Sequence, residues 1–169
     1  MNPLLDFSGL PRFPEIKPEH VTPAVDALLA ENRALVDRLA AEFEAPGWDS
    51  FVQLLEDANE RLSRAWGQVS HLNAVVNSPE LREVYNENLP KITAYYADLS
   101  QNLALFGKFK ALRSAPAFEA LSAPRDAART ETPASHRVGP SRHQLHPADG
   151  DHEAGARTHR MFASVLRSG

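Results

Sequence analysis

The sequence contains no cysteine among its 169 residues. This absence excludes a disulfide framework and zinc sites built on thiolates, and it fits a reducing compartment. Long apolar runs are also missing, since no window approaches the roughly 18 consecutive apolar residues that a membrane-spanning helix needs. The first residues lack the basic start and the apolar stretch of a secretory signal. Composition therefore predicts a soluble, cytoplasmic protein.

Excess positive charge is absent as well. The formal net charge is -4 and the isoelectric point is near 6.0, whereas nucleic-acid and anionic membrane surfaces attract clustered positive charge. Apolar residues make up 43% of the chain and charged residues 24%, which is ordinary for a folded globular protein. We therefore expect neither nucleic acid nor a membrane as a partner.

Several residue types disappear from the chain after residue 112. From position 113 to 169 there are eight Arg but no Lys, together with eleven Ala, five Pro and five of the seven histidines. GC-rich DNA that is read in an unintended frame gives this composition, and a natural disordered tail is the alternative interpretation, because so few large apolar side chains cannot offset the entropy of ordering. The sequence thus predicts two regions, a helical segment over 1–112 and a disordered tail over 113–169.

The first region predicts long helices after an extended, proline-broken segment over 1–21. Thr22 and Pro23 are expected to start a helix that stops at Pro46. Its apolar positions recur at three- and four-residue steps: Val25, Leu28, Leu29, Leu35, Val36, Leu39 and Phe43.

A second helix is predicted from Ser50, which would form a capping box with Gln53. Pairs four residues apart, such as Glu60 with Arg64, are expected on its outer face. Its predicted apolar stripe contains Phe51, Leu54, Leu55, Ala58, Leu62, Ala65, Trp66 and Val69.

The stretch Asn77-Ser78-Pro79 marks a break, after which a third helix is expected to continue past Pro90 with a kink. Its predicted buried residues are Leu81, Val84, Tyr85, Leu89, Ile92, Tyr96, Leu99, Leu103 and Phe106. Short connections between long helices favour antiparallel neighbours. The predicted fold is therefore all-α, an array of helical hairpins.

The stretch "HEAGARTH" over 152–159 nearly spells the H-E-x-x-H signature of zinc peptidases. That signature needs two histidines four residues apart, so that both imidazoles reach one metal ion. Here the fourth residue after His152 is Ala156, and His159 lies about 10 Å further along a helix. The match is therefore accidental. His143 and His146 with Glu153 could bind metal weakly, but Pro140 and Pro147 disfavour a preorganised site.

Other catalytic patterns are also missing, including a G-x-S-x-G elbow and a glycine-rich phosphate loop. His20 and His71 are interpreted as surface or capping histidines. Six acidic residues are interpreted as lying on solvated helix faces: Asp37, Glu42, Glu44, Glu56, Asp57 and Glu60. Five aromatic residues are interpreted as packing residues: Trp48, Trp66, Tyr85, Tyr95 and Tyr96. We predict no catalytic, cofactor-binding or metal-binding residue in this chain.

Three stretches resemble a known family. They are the opening "NPLL" from Asn2, "FPEIKPEHVTPAV" from Phe13 to Val25, and "SHLNAVVNSPELREVYNENLP" from Ser70 to Pro90. The order, spacing and residue identities of these stretches are similar to those in the N-terminal region of the oligopeptidase A branch of the thimet oligopeptidase and neurolysin family. The likeness covers residues 1 to about 112 and fades by Pro124.

The resemblance implies a mostly helical zinc metallopeptidase that admits short peptides into a deep channel. The family's zinc ligands would lie far beyond this chain's length, so no catalytic residue is carried over. The implied role is part of a channel wall, in a truncated N-terminal piece that is inactive alone. The alternative is a stand-alone helical interaction module. Helices that pack against another lobe in the intact family should expose apolar faces when that lobe is missing, so we expect this chain to self-associate.

Overall fold

The computed structural model describes residues 1–41 and 46–116, and these residues contain four α-helices and no strand. The helices are α1 (Pro18–Ala41), α2 (Leu54–Val75), α3 (Pro79–Ser100) and α4 (Leu103–Arg113). Single helical turns lie at Pro3–Leu5 and Phe13–Glu15, and a wider turn at Trp48–Gln53 leads into α2. The all-α prediction is confirmed. The predicted disordered tail covers residues 113–169, and from residue 117 onward it lies outside the described residues.

Contacts between helices define the topology. Asn32 of α1 donates to the Ala58 carbonyl of α2 and Arg61 pairs with Glu31, whereas Asn88 of α3 donates to Thr22 near the start of α1. Helix α1 thus runs antiparallel to α2, as predicted, and parallel to α3. Helices α2 and α3 are also antiparallel, as predicted, since Tyr95 contacts Asn59 and Tyr85 contacts Trp66. Helix α1 packs against both α2 and α3.

The core is one cluster to which all four helices and the N-terminal segment contribute. Leu4 is fully buried, as are Leu28 of α1, Leu62 of α2 and Leu105 of α4. Within the described residues, no helix is long and apolar enough to cross a membrane. The remaining buried apolar residues are Val21, Ala24, Val25, Leu29, Val36, Leu39, Phe51, Val52, Leu55, Ala65, Trp66, Val69, Leu81, Ile92, Tyr95, Tyr96, Leu99, Phe109 and Leu112.

The first helix begins at Pro18, so the prediction that it starts at Thr22 is wrong. Proline fits the first position of a helix because its missing N–H has no intrahelical acceptor there. The Lys17 N–H donates to His20 Nδ1 at 3.1 Å, and the His20 N–H donates to the Lys17 carbonyl at 3.0 Å. Pro23 therefore lies inside α1 with its ring exposed. The predicted extended segment ends at Lys17.

The helical turn that leads into α2 begins before the predicted start at Ser50. Helical structure starts at Trp48, and Ser50 Oγ accepts from the Gly47 N–H at 3.2 Å, so Ser50 reaches back from inside the first turn and is not the cap. Gln53 does not return to Ser50, because its amide donates to Asp57 Oδ1 at 2.7 Å. Leu54, placed on the predicted apolar stripe, is 39% exposed.

The predicted third helix is two helices in the structure. The helix continues through Pro90 but ends at Ser100, and Asn102 Oδ1 caps α4 by accepting from the Leu105 N–H at 3.0 Å. The break changes which residues face the core. Leu103 and Phe106, both predicted to be buried, are therefore 84% and 46% exposed. The buried positions of α4 are Leu105, Phe109 and Leu112.

Candidate functional site

The two histidines in the described residues lie on different elements. His20 accepts a backbone hydrogen bond at the start of α1 through Nδ1. His71 is exposed on α2, and its ring lies 5.2 Å from the ring of Phe13. Both positions agree with the interpretation as capping and surface residues.

No group of three or more His, Cys, Asp or Glu side chains within residues 1–41 and 46–116 could hold a metal ion. The near-signature at His152 and the histidines at His143 and His146 lie outside the described residues, as do Glu42 and Glu44. The other four acidic residues assigned to solvated helix faces are exposed, as predicted: Asp37, Glu56, Asp57 and Glu60.

Most of the aromatic residues pack as predicted. Trp66, Tyr95 and Tyr96 are buried, and the ring of Trp66 stacks on that of Tyr85 at 4.9 Å between centroids. The ring of Tyr95 meets that of Tyr96 at 5.2 Å. These contacts leave no open aromatic cage among them.

A polar network joins the three long helices inside the bundle. Tyr95 of α3 donates its hydroxyl to Asn59 Oδ1 of α2 at 2.9 Å, and Asn59 donates to the Leu55 carbonyl at 2.8 Å. Asn32 of α1, 2% exposed, donates to the Ala58 carbonyl at 3.2 Å. Buried polar side chains are tolerated when they find such partners. We call Asn32, Asn59 and Tyr95 the polar clamp.

Burial controls the ionisation of the clamp tyrosine. Loss of hydration raises the pKa of Tyr95 to about 12, against smaller lowering effects of the Asn32 side chain and the Arg33 charge. Burial also raises the pKa of Tyr96, and the neighbouring Tyr95 and Glu60 charges add to that rise. A hydroxyl held neutral in this way donates a hydrogen bond and does not act as a base near neutral pH.

Arg64 ties the N-terminal segment to α2. Its guanidinium donates to the Phe7 and Gly9 carbonyls, and it lies 6.0 Å from the Phe7 ring centroid. Arg61 lies 5.1 Å from the same centroid. The predicted pairing of Glu60 with Arg64 is replaced by this long-range contact, which holds the segment that contains Leu4.

Two exposed apolar pairs remain on the surface. Val75 and Val76, at the end of α2, are 63% and 60% exposed, and Leu103 and Phe106 form the second pair on α4. Large exposed apolar side chains in clusters mark interfaces. The described residues therefore expose apolar surface at these two places.

The sequence reasoning missed the polar clamp and the Arg64 contact. Asn32 lies four residues before Val36 and three after Leu29, so it falls on the apolar stripe of α1. An amide at such a position is a usable signal for a buried hydrogen bond. The partner of Arg64 lies 55 to 57 residues away in sequence and leaves no local signal.

Residues 25–129 match the family described as Neurolysin/Thimet oligopeptidase, N-terminal domain. The chain belongs to this family. The match ends beyond the change in composition at 113, so the boundary near 112 remains a prediction.

Curated relatives agree with this assignment. Oligopeptidase A of Haemophilus influenzae is 41% identical over 117 residues, which are 69% of this chain and 17% of that protein. Oligopeptidase A of Escherichia coli is 39% identical over 121 residues, 72% of this chain and 18% of that protein. A probable cytosolic oligopeptidase A of Arabidopsis thaliana is 36% identical over 124 residues, 73% of this chain and 18% of that protein. The chain thus matches less than a fifth of the length of these relatives.

Proposed function

We propose that this chain supplies N-terminal helices of an oligopeptidase A-type zinc peptidase and does not hydrolyse peptides by itself. The match over residues 25–129 carries this proposal, because it includes all of α2, α3 and α4 and most of α1. In the proposed role, the bundle forms part of the wall of a channel that admits short peptides.

The chemistry of the proposed parent reaction would come from outside the described bundle. Zinc-dependent hydrolysis needs a metal held by three protein groups and a base for its water. The described residues offer no group of three suitable side chains. The polar clamp joins α1, α2 and α3, and Arg64 fastens the N-terminal segment to α2, so both contacts position parts of the bundle.

Complementation in trans tests the proposal. The partner is Haemophilus influenzae oligopeptidase A from which the matched N-terminal residues are deleted, and the substrate is a quenched fluorescent peptide. We expect cleavage only when the 169-residue chain and the deleted enzyme are mixed, with loss of cleavage on adding a chelator. Chelator-sensitive cleavage by the chain alone would contradict its inactivity. Failure of the two proteins to bind would contradict the structural role.

A cytoplasmic location is part of the proposal. One Arabidopsis relative is named a probable cytosolic oligopeptidase A, which supports this location. Another is named an organellar, chloroplastic/mitochondrial oligopeptidase A. Fractionation of cells that express the tagged chain would decide, and recovery in an organelle would contradict the proposal.

The second candidate function is a helical interaction module that associates with itself. The exposed pairs Val75 with Val76 and Leu103 with Phe106 favour it. Light scattering after size exclusion should then show a mass that rises with concentration. The double variants Val75→Ser/Val76→Ser and Leu103→Ser/Phe106→Ser, compared with each other, identify the pair involved. A concentration-independent monomer that binds no hydrophobic dye would rule out this module.

A further inference from the structure

Helix α4 differs from the other three helices in the residues that it exposes. The exposed residues of α1, α2 and α3 include several charged ones, such as Asp37, Glu56 and Glu83. In α4 six residues are exposed, and Lys110 is the only charged residue among them. The other five, which we call the outer face of α4, are Leu103, Ala104, Phe106, Gly107 and Ala111.

Helix α4 is therefore apolar on two sides. Leu105, Phe109 and Leu112 fill the core on the inner side. On the outer face Leu103 is 84% exposed and Phe106 is 46% exposed. A helix that is apolar all round is typical of one that is buried all round. The bundle covers one side of α4 and leaves the outer face open to a partner.

Gly107 lies in the middle of the outer face, and the packing of the bundle does not require a glycine there. A Cβ atom built on Gly107 would meet no atom within 4 Å, so a side chain has room at this position. Glycine weakens the interior of a helix relative to alanine, but it allows another part of a protein to approach the backbone closely. Gly107 is thus better suited to a covered face than to an exposed one.

The place of α4 within the matched family domain indicates which partner covers the outer face. The domain is N-terminal by its description and takes up less than a fifth of the relatives' length, so most of the chain of such a relative follows it. Helix α4 ends at Arg113, and the match ends at residue 129. Of the described helices, α4 therefore lies nearest in sequence to the part that follows.

We propose that the outer face of α4 docks onto the part of an oligopeptidase A-type protein that follows the N-terminal domain. This inference rests on the proposed function and adds the surface through which the bundle would be joined. The partner surface would be apolar where it meets Leu103 and Phe106. Acidic residues would lie at its edge, because the charged residues of α4 are all basic, namely Lys108, Lys110 and Arg113.

Thiol labelling tests which surface is covered. The chain has no cysteine, so Leu103→Cys introduces the only thiol that mass spectrometry of the 169-residue chain can find labelled. The partner is Haemophilus influenzae oligopeptidase A from which the matched N-terminal residues are deleted. We expect its addition to slow labelling of Leu103→Cys at least about tenfold, since a covered thiol is inaccessible. Val75→Cys, at the other exposed apolar pair, is the matched control and should be labelled at an unchanged rate.

Gly107→Glu provides a second measurement that separates docking from folding. Glutamate is a better helix former than glycine and would lie three residues before Lys110, so the urea midpoint of the isolated chain should stay the same or rise. The Kd for the deleted enzyme should rise at least about tenfold, because a charge would enter an apolar contact. An unchanged Kd would overturn the proposal.

The other outcomes identify the occupant of the outer face. A complex in which Leu103→Cys reacts as fast as in the free chain would overturn this inference and leave the proposed function standing. Protection in the free chain that grows with its concentration would assign the face to a second copy. Protection in the free chain that does not depend on concentration would assign it to residues beyond 116, and either result contradicts the proposal. If the wild-type chain does not bind the deleted enzyme, the proposed function fails together with this inference.

Discussion

The two halves of the helical bundle treat their buried polar groups differently. In the half nearer α4, the polar clamp is hydrogen-bonded, and the rings of Phe51 and Phe109 meet edge to face at 4.9 Å. In the half nearer the α2–α3 turn, Trp66 Nε1 and Asn88 Oδ1 are buried without a partner among the described residues. The polar groups of the first half bond to one another, whereas these two buried atoms of the second half find no protein partner among the described residues.

This difference predicts where substitutions matter. Removing one member of a satisfied pair leaves the other member buried and unpaired, which costs more than removing an atom that had no protein partner. The α4 half should therefore respond most strongly to single changes. The turn half should respond less to the loss of such an atom, because no protein partner is left unpaired.

The largest effect is expected from Phe109→Ala in the α4 half. Phe109 is 2% exposed, and its truncation should lower the free energy of unfolding by about 3–5 kcal/mol through lost burial and a residual cavity. Urea denaturation measures this change. Phe106→Ala, on the same helix but 46% exposed, is the matched control and should cost much less. Equal losses would show that α4 does not pack as described.

Tyr95→Phe should lower the free energy of unfolding by about 1–3 kcal/mol, because Asn59 Oδ1 loses its buried donor. Ser70→Ala in the turn half removes an oxygen that bonds to no described residue and should cost less than Tyr95→Phe. The two variants are compared by urea denaturation under one set of conditions. A larger loss for Ser70→Ala would reverse the proposed contrast between the halves.

Alkaline pH should destabilise the α4 half through Tyr95. The hydroxyl ionises near pH 10 when the chain is unfolded, but its pKa is about 12 in the folded state. Above pH 10 the folded state therefore holds more protons than the unfolded state, and stability falls as pH rises, by about 1 kcal/mol for this group at pH 11. Urea midpoints at pH 8 and pH 11 measure the change. The fall should be smaller in Tyr95→Phe, and an unchanged fall would assign it to other groups.

The smallest effects are expected from exposed ion pairs, one in each half. Arg33 pairs with Asp98 at 3.0 Å in the α4 half, and Lys91 pairs with Asp26 at 2.8 Å in the turn half. Asp98→Asn and Asp26→Asn should each cost less than about 1 kcal/mol, and this cost should shrink in high salt. Thermal unfolding at low and high ionic strength measures both. A salt-independent loss at either site would indicate a role beyond charge pairing.

Local patterns predicted the helices because apolar spacing and caps are properties of short stretches. Ser78 Oγ caps α3 by accepting from the Leu81 N–H at 3.2 Å, at the restart that the sequence indicated. Asn77 adopts a positive φ of 52° just before it, as asparagine tolerates. The break before α4 was missed, since a single cap at Asn102 interrupts a pattern that otherwise continues.

Long-range contacts could not be predicted in the same way. Tyr95 and Asn59 meet across 36 residues, and neither stands out on its own helix as a member of a pair. The family was evident from three stretches of sequence, because the order and identity of many residues carry more information than the periodicity of apolar residues. The absence of a catalytic residue remains a prediction.

The most direct test of the account is the activity of a chimera. Residues 1–129 of this chain would replace the matched N-terminal segment of Haemophilus influenzae oligopeptidase A, and kcat/KM would be measured on a short quenched peptide. The account predicts a kcat/KM within about tenfold of the parent, which corresponds to a change of at most about 1.4 kcal/mol in the activation free energy. A soluble, folded chimera that lacks activity would contradict the claim that these helices perform the structural role of the family's N-terminal domain.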